Sequence, residues 1–176
     1  MRPLLIGLLV LLAPPTPERR ALREIEANYR AMERGFATGD TLAILSYRTP
    51  EFSAELPNGE RQGPEEMARM LGGFFRLNHP PITARTTIRD ADFVSPDTVR
   101  LTVFQKASRY QDLAGRRRRV DHDVTQRETW VRTPAGWRIH FVDQVRDPHR
   151  WVDGKPIEPG KPYDPNAPLY KPPKKK

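Results

Sequence analysis

Residues 120–146 decide the fold, and they read VDHDVTQRETWVRTPAGWRIHFVDQVR. Polar and apolar side chains alternate along both halves, and the connection between the halves contains Pro134 and Gly136. A period of two residues broken by such a turn is typical of a β-hairpin. We therefore predict the central hairpin of a sheet. The side chains expected on its inward face are Val120, His122, Val124, Gln126, Glu128 and Trp130, followed by Trp137, Ile139, Phe141, Asp143 and Val145.

The regions before this hairpin predict two further long strands, preceded by helices. Strands are expected over residues 82–93 and 98–110, before the hairpin strands 116–133 and 137–146. A helix of about 20 residues is expected to begin at Pro17, because Thr16 can cap it and apolar residues recur at spacings of three and four. Shorter helices are expected after Asp40 and from Pro64, with a short hairpin over residues 51–63 between them.

This order of elements predicts an α+β fold, because helices come first and long antiparallel strands follow. We expect a curved antiparallel sheet wrapped around three N-terminal helices, like a cone-shaped α+β barrel, with a disordered Pro-rich tail. A long sheet must twist, so it can leave a cavity between itself and the helices.

The chain has 176 residues, which is enough for one domain with extensions. Residues 1–15 begin with Arg2 and an apolar run, as a secretory signal does, so we expect export to the periplasm or the exterior. The domain is expected over 16–147 and the Pro- and Lys-rich tail over 148–176. The absence of Cys excludes disulfides, thiolate metal sites and Cys nucleophiles.

Several short motifs resemble the nuclear transport factor 2-like superfamily, and SnoaL-like bacterial members in particular. These motifs cover residues 28–32, 39–45, 57–59, 63–67 and 129–139, within a match over about 18–146. The resemblance implies a curved sheet on helices with a ligand-sized cone between them. It leaves the function open, because this fold hosts isomerases, cyclases, dehydratases and binding modules.

In ketosteroid isomerase, a related enzyme, an Asp base moves a proton while a Tyr and a protonated Asp stabilise the oxyanion. By resemblance, the position of the base is Leu56, which cannot abstract a proton. The position of the Tyr is Met32, with Tyr29 one helical turn earlier, and the oxyanion Asp corresponds to Glu128. We therefore expect no ketosteroid isomerase activity.

Glu128 is the leading candidate site residue, because a carboxyl group in an apolar cavity can act as acid, base or hydrogen-bond donor. Tyr29 is its candidate catalytic partner, and the alternative for Glu128 is an ion pair with a nearby Arg. His122 is either a second proton-transfer group or a solvated residue near the sheet end. A metal site and other cofactors are not expected. The candidate ligand-binding residues are Gln126, Trp130, Asp143, His122 and Phe141.

The net charge of +8 is too mild and too scattered to require a nucleic-acid partner. The basic runs are expected to touch anionic surfaces weakly at most. They consist of Arg116, Arg117, Arg118 and Arg119, and of Lys174, Lys175 and Lys176.

Three hypotheses of function follow. The first is an exported protein that binds a small apolar or amphipathic molecule in the cone. The second is an isomerase, cyclase or dehydratase that transfers protons in the same cone. The third is an interaction module, and the resemblance implies a homodimer through the outer sheet face.

Overall fold

The structure is a computed structural model, and it describes residues 15–56, 58–158 and 160–171. Nearly all of the predicted signal stretch and the three terminal lysines lie outside the described residues. None of the helices in the described ranges is long and apolar enough to cross a membrane.

The helices begin and end where the sequence predicts. Helix α1 (Pro17–Thr38) is capped by Thr16, whose hydroxyl accepts from the Arg19 amide at 3.3 Å. It ends at Gly39, which adopts a left-handed conformation with φ of 74°. Asp40 caps α2 (Thr41–Leu45), and α3 (Pro64–Leu77) starts with Pro at its first position and two acidic residues in its first turn.

Seven strands of the described ranges form one curved, open sheet. They are β1 (Arg48–Glu55), β2 (Arg61–Gln62), β3 (His79–Ser95), β4 (Thr98–Leu113), β5 (Arg116–Thr133), β6 (Gly136–Val152) and β7 (Lys155–Ile157). The spatial order is β2-β1-β6-β5-β4-β3, and β7 pairs with the far part of β6. The predicted α+β class is confirmed.

The sheet is mixed, whereas the sequence predicted an antiparallel sheet. Strand β1 runs parallel to β6, with Ser53 opposite Phe141 and Ala54 opposite Val142. A parallel neighbour requires a long crossover, and here the intervening chain contains α3 and four strands, β2 to β5. The hydrophobic pattern of β1 defined a strand but carried no information about its direction relative to β6.

Strand β6 continues well beyond the predicted boundary at Asp147. Gln144 and Asp147 adopt positive φ angles of 48° and 49°, and the pairing with β5 shifts register in this region. These irregularities disrupt the period of two, which is why the sequence suggested an extended tail from residue 148. In the structure His149, Arg150 and Trp151 pair with β5, and β7 follows.

The core lies between α1 and the inner face of the sheet. Ile25 and Tyr29 of α1 pack against fully buried Val99, Leu101 and Val103 of β4 and against two tryptophans from the central hairpin. These are Trp130 and Trp137, both 0% exposed. The packing of a helix stripe on one sheet face leaves the opposite sheet face uncovered by any described helix.

Gly35 makes the close approach of α1 and α2 possible. A Cβ atom at this position would lie 2.9 Å from Ile44 Cγ1 and 3.2 Å from the Asp40 carbonyl oxygen. We predict that Gly35→Ala lowers the free energy of unfolding by about 1–3 kcal/mol, because Ile44 is fully buried and has little room to move.

Gly72→Ala in α3 is the matched control in urea unfolding, because its Cβ would come no closer than 3.9 Å to a flexible Arg76 side chain. It should be neutral or stabilising by up to about 1 kcal/mol, as expected for Gly to Ala in a helix. Equal effects of the two substitutions would contradict this account of the α1–α2 packing.

Candidate functional site

The inner face of the sheet carries a line of polar side chains along β4 and β5. Leu101 lies opposite Glu128, Val103 opposite Gln126, and Ala107 opposite His122. Directly paired residues point to the same side of a sheet. Glu128, Gln126 and His122 therefore share the inner face. We call the buried part at Glu128 the sealed end and the part at His122, which borders a cavity, the open end.

At the sealed end, the Glu128 carboxylate is 1% exposed and surrounded by donors. Its Oε2 accepts from the Tyr29 hydroxyl at 2.6 Å and from Trp130 Nε1 at 2.8 Å. Its Oε1 accepts from Gln126 Nε2 at 2.8 Å and from Gln105 Nε2 at 3.3 Å. These four donors match the acceptor capacity of an ionised carboxylate.

Tyr29 links this carboxylate to helix α1. Burial, and then the negative charge of Glu128, raise the pKa of Tyr29 well above its usual range, so the hydroxyl remains a donor. The Tyr29 ring also meets the Trp130 ring edge to face, with centroids 5.2 Å apart. Helix and sheet are therefore joined by a charge-assisted hydrogen bond and an aromatic contact.

Arg48 supplies a positive charge near this carboxylate without bonding to it directly. Its Nη1 donates to the Ile44 carbonyl at 2.6 Å, and its guanidinium lies 5.1 Å from the centre of the Phe52 ring. Burial lowers the pKa of Arg48, and the charge of Glu128 partly offsets this effect. The direct ion pair considered for Glu128 is replaced by hydrogen bonds from neutral groups.

The open end contains a cavity of about 460 Å³. Arg109 Nη1 donates to His122 Nδ1 at 2.6 Å, and Arg150 Nη2 lies 3.4 Å from Gln111 Oε1. The Arg109 guanidinium also stacks 5.4 Å from the centre of the Phe74 ring in α3. The residues lining the cavity include Arg109, Gln111, His122, Val124, Pro148 and Arg150.

The charges at the open end act on one another. Burial, followed by the positive charge of Arg109, lowers the pKa of His122 to about 4. Burial, followed by the charge of Arg150, lowers the pKa of Arg109 to about 10. At neutral pH this end therefore has two guanidinium cations and a neutral imidazole.

A second cavity, of about 720 Å³, lies mainly on the outer face of the sheet. Its lining includes Lys106, Asp121 and Trp151. The outer face is polar here, and its carboxylates are already paired. Asp121 pairs with Arg119 at 3.0 Å, and Asp123 lies 2.8 Å from His149.

Two predicted site residues lie on the opposite side of the sheet from the site. Asp143 forms a bidentate ion pair with Arg127 at 2.6 and 2.9 Å, and Phe141 lies under Arg61 with its ring centre 5.5 Å away. A bulge in β6 causes this reversal. Trp130 pairs with Ile139, but the neighbouring Thr129 pairs with Phe141, so one residue of β6 is left without a partner. The extra residue reverses the facing of Phe141, Val142 and Asp143 relative to the predicted alternation.

The other predicted residues face inward but do not form one site. Tyr29, Gln126, Trp130 and Glu128 share the sealed network, where Trp130 is core and has no exposed surface. His122 lies apart from them at the open end. His122, Glu128 and Asp143 do not converge, and no metal-binding group of acidic, His or Cys side chains occurs among the described residues.

Sequence reasoning missed Arg109, Arg150 and Gln105. Arg109 and Gln105 continue the parity of Leu101 and Val103 along β4, so extending that pattern would have placed both on the inner face. Arg150 gave no such signal, because the irregular part of β6 separates it from the regular alternation.

Comparison with solved structures identifies the fold. A scytalone dehydratase-like protein from Novosphingobium aromaticivorans superposes with a TM-score of 0.65 at 11% identity, over 75% of this chain and 88% of that one. A hexachlorocyclohexane dehydrochlorinase gives 0.59 at 13% identity, over 85% and 94%. A ketosteroid isomerase-like protein from Erwinia carotovora atroseptica gives 0.54 at 16% identity, over 69% and 92%.

The chain therefore has the nuclear transport factor 2-like fold, and the resemblance seen in the sequence motifs is confirmed. No family model matches the sequence, and no curated protein matches it. At these identities the likeness concerns the fold alone, so function must be argued from the residues of this chain.

We predict that Glu128→Gln lowers the free energy of unfolding by about 2–5 kcal/mol. The NH2 group of the new amide would face side chains that are themselves donors, and Arg48 would lose its nearby negative charge. Glu51→Gln, on the exposed side of β1, is the control and should change stability by less than about 0.5 kcal/mol. Urea unfolding measures both. A loss no larger than that of the control would mean that the network contributes little to stability.

We predict a pH dependence of stability from His122, which is surrounded by Arg109, Arg150, Asp121 and Asp123. Its pKa in the folded protein is below the unfolded value of about 6.5, so the unfolded chain takes up the proton first. Stability should therefore decrease as the pH falls from about 6.5 to about 4, by at most about 3 kcal/mol.

His122→Asn removes the titrating group and retains an oxygen that can accept from Arg109. Its unfolding free energy, measured over the same pH series, should fall less steeply than that of the unaltered protein in this interval. Parallel pH profiles would contradict the proposed burial of a neutral imidazole.

Proposed function

We propose that this protein binds a small amphipathic molecule in the open cavity of the inner sheet face, and that Glu128 stabilises the fold instead of transferring protons. The observation that carries the proposal is the cavity of about 460 Å³ beside Arg109 and His122. Ligand sites of small molecules commonly occupy 300–1,000 Å³ and combine apolar walls with a few convergent polar groups.

The lining of the cavity supports an amphipathic ligand. Val124 and Pro148 supply apolar surface, while Gln111, His122 and Arg150 supply hydrogen-bonding groups. A ligand with a polar end and an apolar body could satisfy both halves of this lining. A purely apolar ligand would leave the polar groups desolvated and unpaired, which costs free energy.

The proton-transfer hypothesis takes second place on chemical grounds. A catalytic base must reach a substrate proton within hydrogen-bond distance, but Glu128 is 1% exposed and both of its oxygens already accept bonds. Neither of the two cavities described above is lined by Glu128. Catalysis by Glu128 would require Tyr29 or Gln126 to release the carboxylate first.

Export and dimerisation are further parts of the proposal. Export rests on the signal-like composition of residues 1–15, and pairing through the outer sheet face rests on the absence of a covering helix among the described elements. The outer face carries aromatic residues such as Phe104 and Trp151 among its charges, as interfaces often do.

Native mass spectrometry with a panel of medium-chain alcohols, amines and carboxylic acids tests the binding proposal. We predict that at least one panel member adds its mass to the protein and is lost on denaturation. Val124→Phe, which fills the cavity, should abolish this binding, whereas Thr125→Phe, on the opposite sheet face, should retain it. Failure of every panel member to bind the unaltered protein would contradict the proposal.

A further inference from the structure

Two guanidinium cations share the open cavity with a single carboxylate, that of Asp123. Arg109 and Arg150 both line the cavity, and the Asp123 carboxylate lies 2.8 Å from His149. Like charges held together in a half-buried place repel each other. Such an arrangement becomes favourable when an anion lies between the two groups.

The hydrogen-bonding groups point to the same conclusion. The Nε atoms of Arg109 and Arg150 are buried, and neither has an acceptor among the described residues. A guanidinium group only donates hydrogen bonds, so in the 2.6 Å contact between Arg109 Nη1 and His122 Nδ1 the imidazole nitrogen is the acceptor. The proton of the neutral His122 ring therefore lies on Nε2. The cavity therefore has a surplus of donors.

The neighbouring carboxylates offset this surplus only in part. Asp121 and Asp123 alternate with His122 along β5, and Asp123 also borders the cavity. Asp121 is 3.0 Å from Arg119, and Asp123 is 2.8 Å from His149. Each of these carboxylates therefore has a hydrogen-bond partner other than Arg109 and Arg150.

We propose that Arg109, Arg150 and His122 bind the carboxylate group of a small organic acid. This inference rests on the proposed small-molecule function and specifies the class of its ligand. A carboxylate offers two coplanar oxygens, which match the forked donors of a guanidinium. The same group accepts from His122 Nε2, so one ligand group satisfies all three side chains.

The surroundings favour a carboxylate on an apolar body over a free inorganic anion. The Phe74 ring covers Arg109 on the side of α3, and Val124 and Pro148 form part of the cavity wall. A small ion would leave this apolar surface in contact with water, whereas an acid with a hydrocarbon chain would bury it.

Isothermal titration calorimetry at neutral pH with octanoate, 1-octanol and inorganic phosphate tests the proposal. We expect octanoate to bind about 10- to 100-fold more tightly than 1-octanol, since charge-assisted hydrogen bonds provide the difference. Phosphate should bind more weakly than octanoate, because it lacks the chain.

Arg150→Gln should remove most of the preference for octanoate over 1-octanol. The matched control is Arg100→Gln, an exposed residue of β4 with the same change of charge. That control should retain the preference. The comparison of the three probes on the unaltered protein decides the question even if Arg150→Gln does not fold.

The outcomes separate this inference from the proposed function. Equal binding of octanoate and 1-octanol would overturn the carboxylate site and leave small-molecule binding standing. Tight phosphate binding without octanoate binding would overturn the carboxylate in favour of a phosphate site. No binding of any probe at millimolar concentration would overturn the carboxylate site and count against the binding proposal as well.

Discussion

The structure depends on one buried carboxylate and the hydroxyl that reaches it from the opposite layer. Tyr29 on α1 donates to Glu128 on β5 at 2.6 Å, and Trp130 donates to the same oxygen. A buried charge is tolerated only where hydrogen bonds replace its hydration. Glu128 meets this requirement only when α1 lies against the sheet in one position. The network thus fixes how α1 packs on the sheet, because another packing would leave the buried Glu128 charge without its hydrogen bonds.

This constraint divides the inner sheet face into two parts with different chemistry. At the sealed end, four donors surround one carboxylate, so charge and hydrogen bonds are balanced within the protein. At the open end, Arg109 and Arg150 line one cavity, and their buried Nε atoms have no acceptor among the described residues. We propose that a bound carboxylate provides the balance at the open end. The carboxylate that resembles a catalytic group therefore belongs to the folding core, and the proposed binding site begins at His122, six residues away along the same strand.

Much of the fold could be predicted from the sequence because its signals are local. Helix caps at Thr16 and Asp40 act within three residues, and β5 pairs with β4 without a register shift, so its side chains alternate in facing. The inward facing of Glu128 followed from that alternation. The prediction placed Phe141 and Asp143 on the wrong face because one extra residue in β6 reverses the alternation. Arg150 was missed because two further register shifts in β6, near Gln144 and Asp147, separate it from the regular alternation. Bulges and long-range pairing depend on the neighbouring strand, which local sequence does not specify.

The central claim is that ligand chemistry and fold stabilisation occupy separate ends of the cone. A crystal structure of the protein grown with octanoate tests this most directly. The account predicts the ligand carboxylate within hydrogen-bond distance of Arg109 and Arg150, with the bond between Tyr29 and Glu128 unchanged. A ligand bound against Glu128, with Tyr29 or Gln126 displaced from it, would contradict the account and return the carboxylate to a catalytic or binding role.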